Sequence, residues 1–125
     1  MGTFQRTALI TGGATGIGLA SAHAFSKAGY NVVLTDLEQK VVQDAANTIK
    51  GPTLAIKLDV CDQTSIYVAF KEGERVFGQI DVLHANAGVS SMKRALDLTE
   101  EDWDFNFNVN AKGVFLSNQA AIRHF

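Results

Sequence analysis

Along the 125 residues, short runs of β-branched and apolar side chains alternate with longer stretches in which apolar positions recur every three or four residues. Thr7-Ala8-Leu9-Ile10-Thr11 reads as a buried strand, being short, apolar and followed at once by glycines. Gly16 to about Ala28 reads as a helix, with Gly29 just past its end as a C-cap. Asn31 to Thr35 predicts a second strand. Glu38 to Lys50 predicts a second helix, stopped by Gly51-Pro52. Thr53 to Leu58 gives a third strand whose stricter alternation places it nearer a sheet edge. Gln63 to Phe77 is helical up to Gly78, with Gly73 weakening its last turn, and Ile80 to His84 is the fourth strand.

The final helix carries the strongest start signal. Thr99 is its expected N-cap, Asp102 three residues on completes a capping-box pattern, and Leu98 and Trp103 take the hydrophobic-staple positions. Phe107, Ala111, Val114, Phe115, Asn118 and Ile122 follow at spacings of three and four, which predicts one mainly apolar face. Strand and helix alternate throughout, without repeat, low-complexity segment or linker. That alternation implies a parallel sheet with right-handed crossovers, the doubly wound α/β class, in three αβα layers.

Composition narrows the setting. With 46% hydrophobic and 19% charged residues, the chain is neither disordered nor collagen-like, and its length allows one domain at most. Eleven basic against thirteen acidic residues leave a net charge of −2, so the positive field that nucleic acid or an anionic membrane demands is missing. The single cysteine, Cys61, cannot close an internal disulfide, which favours a reducing, cytoplasmic setting. No apolar run approaches membrane-spanning length. Met1 to Arg6 leads straight into the first strand, with neither a signal-peptide core nor a myristoylation pattern.

The most informative segment is Thr11-Gly12-Gly13-Ala14-Thr15-Gly16-Ile17-Gly18, where the first strand turns into the first helix. A dinucleotide pyrophosphate needs backbone N–H groups aimed at it from a helix N-terminus and no Cβ in its way. Gly12 suits the tight turn, Gly16 the close approach, and Gly18 close packing of the helix on the strand. The spacing G-x-x-x-G-x-G gives a wider loop than G-x-G-x-x-G, and the preceding strand and following helix supply the required context. Asp36 ends the second strand, 18 residues after Gly18, where a carboxylate can accept from both adenine-ribose hydroxyls and repel a 2′-phosphate. The alternative role for Asp36 is a cap on the second helix. Neither Thr15 nor Leu37 is basic, so NAD is expected over NADP.

Together these residues resemble the short-chain dehydrogenase/reductase family. The glycine string is similar to that family's T-G-x-x-x-G-x-G turn, Asp59-Val60 falls where members contact adenine, and Asn86-Ala87-Gly88 matches the N-A-G signature. Asn110 falls on the family's catalytic asparagine, and the landmarks stay in register along the whole chain. Ala85 departs from the pattern, standing where many members carry a second asparagine. The resemblance implies a Rossmann-type sheet in the order 3-2-1-4, with residues 1–125 as an NAD-binding domain cut within the Asn110 helix. It implies an enzyme that, when intact, transfers hydride between nicotinamide and a secondary alcohol or ketone, and it suggests a small polyol or sugar as substrate. The implied cofactor contacts are Gly12, Thr15, Gly16, Ile17, Gly18, Asp36, Leu37, Asp59, Val60, Asn86, Ala87 and Gly88. The family's serine and its tyrosine with a lysine four residues on follow the asparagine helix, so Asn110 is the one member of that catalytic set expected here. A homodimer or tetramer is implied for the intact protein. The alternatives are a non-catalytic NAD-binding or partner-binding remnant, and a nucleoside-cofactor methyltransferase, which Asn86-Ala87-Gly88 and Asn110 oppose.

Other residues read more simply. Tyr67 and Lys71 have Y-x-x-x-K spacing but precede the fourth strand, so they are expected to be a half-buried aromatic beside a solvated lysine. His23, His84 and His124 lack metal-ligand spacing, and no metal is expected. Cys61 is expected to be a small buried thiol. Glu100, Glu101, Asp102 and Asp104 complement the positive end of the helix they start. Lys93-Arg94 is too short a basic run for nucleic acid, and Ser90, Ser91 and Met92 are expected to line the active-site mouth. Asn106, Asn108, Asn110 and Asn118 are poor helix formers, so the helix is expected to bend among them. Asn110 is expected to hold a relay water through its side chain or a freed carbonyl.

Overall fold

A computed structural model describes residues 5–125. The reading of the extreme N-terminus rests largely on Met1 to Phe4, outside the described residues. In chain order the elements are β1 (Thr7–Ile10), α1 (Gly16–Lys27), β2 (Asn31–Asp36), α2 (Gln39–Ala46), β3 (Thr53–Lys57), α3 (Gln63–Phe77) and β4 (Val82–His84). A 3₁₀ turn (Ala95–Asp97), α4 (Glu100–Phe107), a π-helical turn (Asn108–Lys112) and α5 (Gly113–His124) complete it. The strands pair in parallel in the order β3-β2-β1-β4, as expected, with β3 at one edge.

Alternation along the strands divides the core. Ile10, Val32 and Leu34 pack with Ala22 of α1 and Val42 of α2 on one face. Leu9 and Val33 pack with Ile66 and Phe70 of α3 and Ala121 of α5 on the other. β1 and β2 are buried along nearly their whole length, and this requires the unbroken apolar runs seen in the sequence. The two helix layers therefore sandwich the sheet and leave the C-terminal ends of the strands to form the site.

Three elements differ from expectation. α2 stops at Ala46, four residues early: the Thr48 hydroxyl donates to the Ala45 carbonyl at 2.6 Å, and the Thr48 and Ile49 amides tighten onto Ala45 and Ala46. β4 starts only at Val82, because the Ile80 amide donates to His124 Nε2 at 3.0 Å instead of entering the ladder. The third difference is the largest. The predicted apolar face of the last helix points outward, leaving Phe115 60% and Ile122 73% exposed, while Gly113, Ser117 and Ala121 face the core.

The reversal extends through the π-turn: Phe107 before it is already half exposed, as Phe115 and Ile122 are after it. The apolar stripe is thus one outward face, and a period of apolar residues marks a face without saying what covers it. The buried face is made of small residues, and they bring α5 close: a Cβ on Gly113 would sit 2.6 Å from Val60 Cγ2. Gly73 acts alike in α3, where a Cβ would sit 2.9 Å from Ile80 Cδ1, and the helix runs through it to Phe77.

Candidate functional site

At the C-terminal end of β1 the chain turns through Gly12 at φ 61° and reaches α1 through Gly16 at φ 55°. Gly12 also lies against β4's continuation: a Cβ there would be 2.7 Å from Ala87 Cα. Thr15 is the N-cap of α1 in extended conformation, without a side-chain cap, and the first turn holds no acidic residue. The helix therefore brings no negative charge of its own to its positive end. Gly18 packs on the turn itself, where a Cβ would strike the Gly12 carbonyl and come within 2.6 Å of Asn86 Nδ2.

Thr11 and Asn86 lock this turn to the end of β4. The buried Thr11 hydroxyl accepts from the Asn86 and Ala87 amides at 3.0 and 3.1 Å. Asn86 Nδ2 donates to the Thr11 and Gly12 carbonyls at 3.1 and 3.0 Å. These bonds span more than seventy residues of sequence and join the two strands flanking the switch point of the sheet. Thr11 was missed as a site residue, although it opens the glycine motif.

Asp36 does not cap α2, whose N-cap is Glu38. Its carboxylate accepts from the Ala14 amide at 3.0 Å and the Leu37 amide at 2.8 Å, which fixes it beside the glycine turn. A carboxylate has about four acceptor positions, so two remain for hydroxyl donors. Asp59 accepts from the Cys61 amide at 2.9 Å, and Val60 is buried.

Of the expected cofactor contacts, Gly12, Thr15, Gly16, Ile17, Asp36, Leu37, Asp59, Val60, Asn86, Ala87 and Gly88 line one cleft of about 690 Å³. Gly18 lies beneath it. Leu58, Cys61, Val89, Phe105, Asn108 and Val109 also line the cleft. Phe105, Asn108 and Val109 gave no signal in sequence, because which residues of α4 and the π-turn reach the cleft is set by how they pack beside the end of β4.

Asn110 stands in the π-turn, but its side chain is occupied. Asn110 Nδ2 donates to the Val89 carbonyl and Oδ1 accepts from the Val89 amide, each at 2.8 Å. Ser90 and Ser91 line a neighbouring pocket of about 520 Å³ with Trp103 and Asn106, whereas Met92 is 93% exposed and lines neither space. Cys61 corrects the expectation of a buried thiol: it is exposed at the cleft wall. Partial desolvation and then the Asp59 carboxylate push its pKa up, with Lys112 opposing. Tyr67 is more exposed than expected, sits under the Lys71 ammonium and lies in a separate groove between α3 and α5. Among the described residues no group of side chains forms a metal site.

A twisted parallel sheet with a glycine turn at its switch point and a carboxylate after the second strand defines a Rossmann-type nucleotide-binding fold. The family model described as short chain dehydrogenase matches residues 6–125, and the chain belongs to that family. It is 40% identical over 115 residues to an NAD-dependent glycerol dehydrogenase of Listeria innocua, covering 92% of this chain and 45% of that protein. It is 36% identical to an L-2,3-butanediol dehydrogenase of Corynebacterium glutamicum, covering 97% and 49%. A 3-ketoacyl-(acyl-carrier-protein) reductase from Brucella melitensis, solved with NADH, superposes with a TM-score of 0.90 at 30% identity, covering 98% and 52%. The chain thus spans about half the length of the relatives it matches. Family membership sets aside the methyltransferase alternative. Among the described residues no helix is long and apolar enough to cross a membrane.

Proposed function

We propose that residues 1–125 are the cofactor-binding portion of an NAD-dependent oxidoreductase that interconverts a secondary alcohol and a ketone. The observation that carries this reading is the cleft itself: eleven of the twelve expected contacts converge on it, and its walls hold Asp36 and Asp59 but no lysine or arginine. Such a lining accepts ribose hydroxyls and disfavours a 2′-phosphate, which supports NAD over NADP. Bound there, NAD supplies the hydride acceptor and donor at its nicotinamide.

The chain's own residues divide the remaining work. The backbone at Gly12 and Gly16 and the head of α1 would hold the pyrophosphate, for at Gly16 no Cβ projects into the open space beside the turn. Asp36 would hold the adenine ribose, and Asp59 and Val60 would border the base. Asn86 would keep the cleft floor in place. The Asn110 side chain is anchored to Val89, and its backbone carbonyl in the π-turn would be the group that holds a relay water. Such turns frequently mark functional sites. The serine and the tyrosine–lysine pair that the family uses for proton transfer would follow in the rest of the protein. The names of the glycerol and 2,3-butanediol relatives favour a small polyol as substrate. A cytoplasmic homo-oligomer completes the proposal.

Titration of the intact protein with NADH and NADPH tests it. Wild type is expected to bind NADH more tightly, and Asp36→Ala to weaken NADH binding about tenfold while narrowing the gap to NADPH. An unchanged preference removes the role of Asp36. A wild-type protein that binds neither nucleotide overturns the reading.

A further inference from the structure

Directly after Asn86-Ala87-Gly88, the chain runs back along α4 as a loop, and the two are joined by three rungs at regular spacing. The Val89 peptide pairs with the Asn110 side chain, with both bonds at 2.8 Å. The Ser91 hydroxyl accepts from Asn106 Nδ2 at 2.8 Å. Lys93 Nζ donates to both carboxylate oxygens of Asp102, at 3.1 and 2.9 Å. Every second loop residue therefore meets every fourth helix residue, in antiparallel order.

The spacing has a physical basis. Four helix residues advance about 6 Å along the axis and lie on nearly one face. Two loop residues span at most about 7 Å. The Lys93 amide closes a tight turn onto the Ser91 carbonyl at 3.0 Å, and the long lysine side chain covers the remaining distance. Asn106 Nδ2 also donates to the Asp102 carbonyl at 2.7 Å, so its rotamer is held from the helix side as well. Asp102 is fixed independently by accepting from the Thr99 amide at 2.9 Å. Two of the three helix rungs, Asn106 and Asp102, are thus also held from the helix side.

We propose that Asp102, Asn106 and Asn110 form a polar zipper that sets the 89–93 loop as a wall of the reaction cleft, with Asn106 and Asp102 as positioning residues. The loop separates two spaces: Val89 lines the cofactor cleft, while Ser90 and Ser91 line the adjoining pocket. A shift of the loop would change the shape of both. The zipper rests on the oxidoreductase reading for its purpose but not for its existence.

Amide hydrogen exchange across residues 89–93 of the intact protein tests it, in wild type, Asn106→Ala, Ser91→Ala and the double variant. Either single change is expected to speed exchange of the loop by about tenfold, and the double to add little more, because both remove one rung. NADH affinity is expected to stay within about twofold, since Val89, the loop residue in the cofactor cleft, keeps its own rung to Asn110. With 2,3-butanediol as probe substrate, KM is expected to rise more than kcat falls, a split that loss of overall stability would not produce. Unchanged loop exchange, or single effects that simply add, overturns the zipper. Failure of wild type to bind NADH sinks the oxidoreductase reading instead, and the exchange data still decide the zipper.

Discussion

Asp102 shows how much one side chain can carry at this site's margin. It accepts from the Thr99 amide and returns the capping box, and it also pairs with Lys93. The Lys93 ammonium, and next the Thr99 amide, lower its pKa from 3.8 to about 2. A carboxylate lowered on folding stabilises the fold above its unfolded pKa and loses that contribution as pH falls through the folded value. The start of α4 and the loop it holds should therefore loosen as pH drops from about 4 to about 2. Denaturation midpoints of wild type and Asp102→Asn, followed across that range, should converge at the acid end. A gap that does not change with pH would remove the ionised carboxylate from the account. Thr11 is a comparable case in the interior, where one hydroxyl satisfies two amides at the junction of β1 and β4.

At the scale of elements, the last helix decides the most. Its start was readable because a capping box is local chemistry, and both reciprocal bonds are present. Its packed face was not. The residues of α5 buried against the core are Gly113, Ser117 and Ala121 rather than the bulky stripe, which is exposed from Phe107 onward. Gly113→Ala should cost about 1–3 kcal/mol, because the added methyl overpacks against Val60 at a backbone-to-side-chain contact. Urea denaturation measures this, and a neutral result would mean that α5 can shift away without loss. Val60 also lines the cleft, so the same change should reach the adenine end of the site.

Across the whole molecule, two surfaces lack cover among the described residues. β4 pairs with β1 on one side alone, and Phe107, Phe115 and Ile122 leave an apolar band on α4 and α5. A parallel sheet is ordinarily covered, and an open edge is a template for association. Produced by itself, the 125-residue chain should self-associate or precipitate. Sedimentation showing a stable monomer would mean that these surfaces are tolerated in water. The same band fits the homo-oligomer proposed for the intact protein.

The sequence by itself determined the order of strands and helices, the phosphate turn, the acid after the second strand and the helix start at Thr99. All of these are local: a glycine spacing, a period of apolar residues or a cap is complete within about ten residues. Only the tertiary structure decided that Asp36 braces the glycine turn, that the Asn110 side chain holds Val89, that Cys61 is exposed and which face of α5 is buried. Each of these depends on contacts between distant parts of the chain, which neither a local motif nor hydrophobic periodicity records.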